Sequence, residues 1–331
     1  MTRVRNALTG TIVSILLLFT SPIFAAQWMW ARGNLHTHTT NSDGNRSPQE
    51  VADWYKSNGY QFLVISDHDK LTDVTSLNKD PNDGFIVIPG EEIAMTGDPN
   101  TPHHANAIGI SKWIKPPDRG INPGRNARLL VDCIRDGGGI PMVNHPACGG
   151  WGYRELLWIK GPYLLEIANM GDVSVNVSNL TRMSMEQTWD VLLSYGQEVY
   201  ATATDDMHRL DYGPSNPLGP GRGWVVCRVK QLTEADVLDA LRRGDFYCST
   251  SVELEDYSFD GREFRVKVKP KQGEKYLIRF VGKWGAILQE SEGVTATYRV
   301  SGKHEPNSYI RCKVISGNNK AAWTQAFRIK E

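Results

Sequence analysis

Short, nearly continuous apolar runs recur along this chain, and several of them end on a histidine or a carboxylate. QFLVIS runs into Asp67-His68, FIVIP into Gly90-Glu91-Glu92, GIPMV into Asn144-His145, and EVYATAT into Asp205-Asp206. Runs of this kind mark strands buried on both faces, as a parallel sheet covered by helices requires. In such sheets and barrels the C-terminal strand ends converge on one face, where sites assemble. One constraint on the fold therefore gathers chemically active side chains from distant parts of the sequence.

Helical signals lie between some of the runs. Ser47-Pro48-Gln49-Glu50 reads as an N-cap, a first-turn proline and a capping-box glutamate, with Gly59 as the stop. Further helices are expected over 125–136, about 185–195, and 233–243 before Gly244. YLLEIAN and GWVVCRV supply more strands, so the pattern predicts βαβ units and an α/β fold. After Val252 the texture changes. REFRVKVKP, KYLIRFVG, ATYRVSG, SYIRCKVIS and TQAFRIK alternate at period two between turn residues, which predicts an antiparallel β-sandwich of roughly 75 residues. No candidate ligand falls in that stretch except His304, which reads as a surface residue, so the preceding domain is expected to keep its site without it.

The N-terminus reads as a signal peptide over 1–26: Arg3 and Arg5, an apolar run from Thr11 to Phe19, then Pro22, Ala25 and Ala26. Export to the periplasm or medium is the expectation, with no stable membrane span in the mature chain. With 37 basic and 37 acidic residues the chain has no electrostatic footprint for nucleic acid or anionic lipid. Five cysteines without CxxC spacing are too few for a disulfide scaffold and fit neither zinc fingers nor thioredoxin chemistry. The tryptophans Trp54, Trp113, Trp158 and Trp189 are expected in the core.

Six of the eight histidines take part in the clusters. His36 and His38, two apart on an extended chain, point the same way and can reach one ion. Asp43 follows through an SDG turn, then come His68, Glu92, His104, His145, Asp206 and His208. Nine imidazoles and carboxylates exceed what one ion uses, and mixed sets of this kind suit Zn, Mn or Fe. Glu91 competes with Glu92, His103 with His104, and Asp205 with Asp206.

Taken in order, HTHTTNSD, SDHD, PGEE, HHANAIG, NHP and DDMH resemble the PHP (polymerase and histidinol phosphatase) superfamily over about Gly33 to Thr250. The resemblance implies a distorted (β/α)7 barrel over 27–252, followed by the sandwich over 253–331. The G-x-E, HxNxxxG and D-x-H spacings select Glu92, His104 and Asp206. The resemblance also implies one ion on His36, His38, Glu92 and Asp206, a second on Asp43, His68 and His208, and a third on His104, His145 and shared Glu92. The layout with a small C-terminal β domain is similar to the exported carbaryl-hydrolase-like branch.

The function expected is a hydrolase with two or three divalent transition metal ions, acting on a small, phosphorylated molecule through a hydroxide bridging two ions. Asp43, Glu92 and Asp206 carry the catalytic roles. The alternative is an amide or carbamate hydrolase, and a third reading is a metal-loaded binding module. Lys70, Arg154, Arg209 and Arg222 are candidate substrate contacts, and Trp151 lies in a loop that could reach the pocket. Glu166, Asn169, Asn144 and Asp67 are read as hydrogen-bonding supports for the ligands.

Overall fold

The computed structural model describes residues 28–80, 82–95, 103–171, 176–178, 182–212, 216 and 219–329. The expected signal peptide lies outside them, as does part of the loop 212–223.

The first half of the fold consists of nine strands: β1 (Met29–Asn34), β2 (Phe62–Ile65), β3 (Ile86–Ala94), β4 (His104–Ile108), β5 (Ile140–Val143), β6 (Tyr163–Asn169), β7 (Val199–Thr204), β8 (Trp224–Val229) and β9 (Phe246–Ser249). Among the described residues five α-helices accompany them: α1 (Pro48–Ser57), α2 (Pro123–Asp136), α3 (Tyr153–Leu156), α4 (Met185–Ser194) and α5 (Glu234–Arg243). The sheet runs β9-β8-β1-β2-β3-β4-β5-β6-β7. β1, β2 and β3 are parallel to one another, as are β5, β6 and β7, whereas β4 and β8 run against their neighbours.

Helix starts follow the sequence signals. Ser47 caps α1 and exchanges bonds with Glu50, a full capping box. α5 ends at Gly244 with φ +69°, and a Cβ there would lie 2.3 Å from the Tyr200 ring, so this position needs glycine on both counts.

The even strand–helix alternation is realised only in part. No α-helix separates β2 from β3, and β4 folds directly back on β3, with Glu92 opposite Asn106 and Ala94 opposite His104. The IVIP run therefore does not stop before the glutamates. It continues for nine residues because β4 supplies a second pairing partner. The result is a mixed α/β fold, richer in strand than a regular alternation gives.

The later strands are β10 (Leu254–Phe259), β11 (Glu263–Val268), β12 (Tyr276–Val281), β13 (Ile287–Glu292), β14 (Thr295–Arg299), β15 (Tyr309–Ser316), β16 (Ala321–Thr324) and β17 (Phe327–Arg328). β10, β11 and β14 form a three-stranded antiparallel sheet. It packs through Phe264, Val266 and Val268 on Ile278, Phe280 and Val314 of β12 and β15, with the Phe264 and Phe280 rings 5.5 Å apart. The facing layer is not a separate sheet. β16 pairs with β9, extending the large sheet through β15, β12 and β13.

Two further ties cross this boundary. Gln325, just after β16, donates from Nε2 to the Ala201 carbonyl and accepts the Ala201 N–H, both at 2.8 Å, as a strand partner would for β7. Arg311 is 2% exposed and donates to Asp190 on α4 at 2.6 and 2.7 Å.

Two of the tryptophans expected inside are at the surface. Trp113 is exposed because its ring N–H reaches the Asp69 carbonyl, and Trp158 lies over Gly124, where no side chain competes for the space. Trp189 is fully buried. All five thiols are free. Among the described residues no helix is long and apolar enough to cross a membrane.

Candidate metal centre

The chain beyond β1 continues extended between the ends of β2 and β7. The His38 N–H donates to the Met207 carbonyl, and the Ser66 N–H to that of Thr37. His36 and His38 thus share one face, with ring centroids 5.1 Å apart. His68 follows β2 and bridges to Glu92 inside β3. His104 opens β4, His145 follows β5, and Asp206 and His208 follow β7.

All nine expected donors converge, and Glu92 is at their centre. Its Oε2 lies 3.1–3.2 Å from His36 Nε2, His38 Nε2 and His68 Nδ1. Its Oε1 lies 3.2 Å from both His104 Nδ1 and His145 Nε2. Asp206 Oδ1 lies 3.2 Å from the Nε2 atoms of both His36 and His38. Toward the mouth, Asp43 Oδ2 is 3.3 Å from His208 Nε2 and 3.7 Å from His68 Nε2.

Three groupings of donor atoms result: His36, His38, Glu92 and Asp206; His38, Asp43, His68 and His208; and His68, Glu92 and His104. His68 lies between the outer and the third grouping. The groupings differ in depth. The His36, His38 and Glu92 side chains are at most 1% exposed, against 55% for Asp43 and 33% for His208.

The donors fit divalent cations. Two donors each about 2.1 Å from one ion stand about 3.4 Å apart at a tetrahedral angle and about 3.0 Å apart at a right angle. The separations around Glu92 and Asp206 fall between these limits. Among the described residues, buried His36 Nε2, Glu92 Oε2 and His104 Nδ1 have no hydrogen-bond partner, the signature of atoms awaiting something else.

Five imidazoles surround one carboxylate, and their charges oppose one another. Burial works against ionisation of Glu92, but His36, then His68 and His104, outweigh it and hold its carboxyl well below the usual range. Burial likewise lowers His38, yet the Asp206 and Glu92 carboxylates, each 3.2 Å from its Nε2, push it up to about 9. Asp43 is also held low, with His208 outweighing the effect of its own burial. The centre thus attracts cations, whether protons or metals.

Supporting groups fix ligand orientation. The Glu166 carboxylate accepts from His36 Nδ1 at 2.7 Å, which requires the Nδ1–H tautomer and turns the Nε2 lone pair to the centre. Glu166 also accepts from Thr204 Oγ1, the His145 N–H and Asn169 Nδ2, and Asn169 reaches on to Asp206 Oδ2 at 2.9 Å. Asn144 donates to Glu92 Oε1 at 2.8 Å. Asp67 accepts from the Thr39 N–H and the Ser42 hydroxyl, holding the turn that carries Asp43. His145 and Asp206 both take positive φ, 25° and 48°, strain of the kind that functional sites store.

The competing neighbours point elsewhere. Glu91, on the opposite face of β3, accepts the Ile114 N–H, and burial pushes its carboxyl up to about 7. His103 bonds the Gly149 carbonyl and stacks on Trp151 with centroids 4.2 Å apart. Asp205 accepts three consecutive N–H groups, from Gly221, Arg222 and Gly223, as well as the Tyr55 hydroxyl.

The candidate substrate residues do not gather at one point. Lys70 reaches the Asn41 carbonyl at the rim, and Arg209 pairs with Asp211. Arg222 donates to the Met170 carbonyl. Arg154 lines a separate cavity with half-buried Tyr153 and with buried Trp151 and Met185. Asn45, which carried no sequence signal beyond its place in SDGN, joins two ligand-bearing segments.

No family model matches this chain, and no curated protein does. Solved structures do. One is described as a two-domain protein containing a predicted PHP-like metal-dependent phosphoesterase, from Bacteroides vulgatus. It is 15% identical, covers 91% of this chain and 96% of its own, and has a TM-score of 0.48. A second, an amidohydrolase from Chromobacterium violaceum with bound sulfate and no metal, is 16% identical over 57% of this chain and 93% of its own, with a TM-score of 0.37. A third, from Bifidobacterium adolescentis, is described as a candidate metal-dependent phosphoesterase. It is 12% identical over 57% and 90%, with a TM-score of 0.36.

Proposed function

We propose that this chain is an exported multinuclear metal-dependent hydrolase whose substrates are phosphate esters, built on a distorted (β/α)7 barrel. The observation that carries the reading is the Glu92 carboxylate, buried among five imidazole nitrogens at 3.1–3.2 Å with one oxygen unpartnered. The packing of β7 against β8 and β9 supports closure of the sheet.

Two or three divalent ions bound at these donors would neutralise phosphoryl oxygens and bring the pKa of a water toward neutrality. The chain's own contribution is position and charge. His36, His38, Glu92 and Asp206 would hold the innermost ion, Asp43, His68 and His208 the outer one, and His104 and His145 with Glu92 a third. Asp43 stands at the half-open mouth, where a carboxylate can steer a proton, and Asp206 could do so from deeper in the centre. Lys70 places cationic charge on the rim, which suits an anionic substrate, while Arg209 there is paired with Asp211.

The test is turnover by the metal-loaded full chain against phosphate mono- and diesters, carbamates and amides. Phosphate release as the dominant activity supports the proposal. Carbamate or amide cleavage without phosphate release would replace it with the amidase reading, and full metal loading without any turnover would leave a binding module. Cell fractionation tests export.

A further inference from the structure

We propose that Asn45 is the positioning residue of the outer half of the metal centre, holding Asp43 and His208 at ion-sharing distance. This rests on the reading that the nine donors bind metal.

The inner donors need no such device. They are buried and oriented by Glu166, Asn169 and Asn144, which hydrogen-bond to the ligands directly. The outer donors come from separate turns. Asp43 follows His38, His68 follows β2 and His208 follows β7. The Asp43 side chain is 55% exposed, and among the described residues its one hydrogen-bond donor besides the imidazoles is the Ser42 hydroxyl at 3.3 Å. Packing therefore does not set the 3.3 Å separation of Asp43 from His208.

Asn45 does so from two residues away. Its N–H donates to the His208 carbonyl at 2.9 Å, its Oδ1 accepts the Leu210 N–H at 2.9 Å, and its Nδ2 donates to Asp211 Oδ1 at 2.5 Å. Three bonds thus lock the Asp43 turn onto the segment after β7. Asp67 grips the same turn from the other side through Ser42 and Thr39, and Gly44 presses so close to His38 that a Cβ would lie 2.5 Å from the His38 carbonyl group. The backbone bond from His38 to Met207 already joins the two segments further in; with the turn held at Gly44 and Ser42, the Asn45 side chain adds the ties at its outer end that fix where Asp43 stands relative to His208.

A clamp and a simple charge effect predict opposite signs. Asn45→Asp adds a negative charge beside a cation site, which strengthens binding if only the field matters, but it sets two carboxylates against each other across the Asp211 contact and opens the clamp. In the exchange N45D/D211N, the new carboxylate at position 45 accepts from the new amide at position 211 and from the Leu210 N–H, restoring all three bonds at unchanged net charge.

The experiment is calorimetric titration of metal-stripped full-length protein with Zn²⁺ and, separately, Mn²⁺. It covers wild type, Asn45→Ala, Asn45→Asp and N45D/D211N, with circular dichroism to verify folding. Expected are at least two binding steps in wild type. One step should weaken on the order of 10- to 100-fold in both single variants, as for loss of a ligand-orienting partner, and recover in the exchange, while the tightest step stays unchanged throughout. A wild type that binds at most one ion overturns the outer site and the proposal together. Several ions in wild type, bound equally by folded Asn45→Ala and Asn45→Asp, overturn the proposal alone, as does failure of the exchange to restore the weakened step.

Discussion

Glu166→Gln isolates the buried support of the inner site. The carboxylate takes His36 Nδ1 and Thr204 Oγ1 on one oxygen, at 2.7 and 2.6 Å, and the His145 N–H and Asn169 Nδ2 on the other, at 2.7 and 3.0 Å. All four partners donate here, so an amide NH₂ in either orientation faces two donors. Turned toward His36, it favours the tautomer whose proton sits on Nε2, where the metal should bind. Turned away, it loses the bond to the His145 backbone. A charge-assisted bond of this kind is worth about 1.5–3 kcal/mol, and each 1.4 kcal/mol is tenfold in affinity. The innermost ion should therefore bind about 10- to 150-fold more weakly, in line with measured losses for orienting carboxylates. Competition against a chromophoric chelator reads this directly, with circular dichroism to establish that the variant is folded. A folded Glu166→Gln that binds the ion within about twofold of wild type would refute the tautomer argument.

Glu92→Ala should abolish turnover and reduce metal stoichiometry, whereas Glu91→Ala should do neither in a folded chain; elemental analysis with rate measurement on both decides, and the reverse pattern sinks the assignment. Burial raises the folded-state pKa of Glu91 from 4.5 to about 7. Its contribution to stability is therefore full below pH 4.5 and is lost as pH rises to 7. Relative to Glu91→Gln at equal metal saturation, wild type should lose about 1–3 kcal/mol between about pH 5 and 8 in denaturant titrations; parallel profiles would contradict this. Chains ending between residues 250 and 256 lose the β16–β9 pairing, the Gln325 cover of β7 and the Arg311–Asp190 pair. They should be unfolded or aggregated by circular dichroism and light scattering, and a soluble, folded, metal-binding truncation would show that the large sheet does not need its extension.

Much of the site could be read from the order of motifs, because strand ends in a parallel sheet must converge. Of the neighbour pairs, only Glu91 and Glu92 are separated by strand alternation, since adjacent residues face opposite sides. His103 and His104 straddle a strand start, where period two says little, and their fates depend on Trp151, far along the chain. Asp205 gives no sign of its cluster of three N–H donors, because a loop's backbone conformation is not written in side-chain pattern. The hairpin of β3 and β4 was hidden for a similar reason. A continuous apolar run looks alike whether its next partner is parallel or antiparallel. The continuity of the sandwich with the large sheet rests on the pairing of four-residue β16 with β9, too short to leave a periodic trace.

The claim on which all of this depends is that the donors around Glu92 hold metal. Anomalous diffraction from crystals of the full chain loaded with Zn²⁺ or Mn²⁺, recorded on both sides of the absorption edge, tests it directly. Two or three peaks are expected, each within about 2.0–2.3 Å of its donors, with one touching His36, His38, Glu92 and Asp206 and another touching Asp43, His68 and His208. Crystals soaked to saturation that show no peak within reach of Glu92 would contradict it.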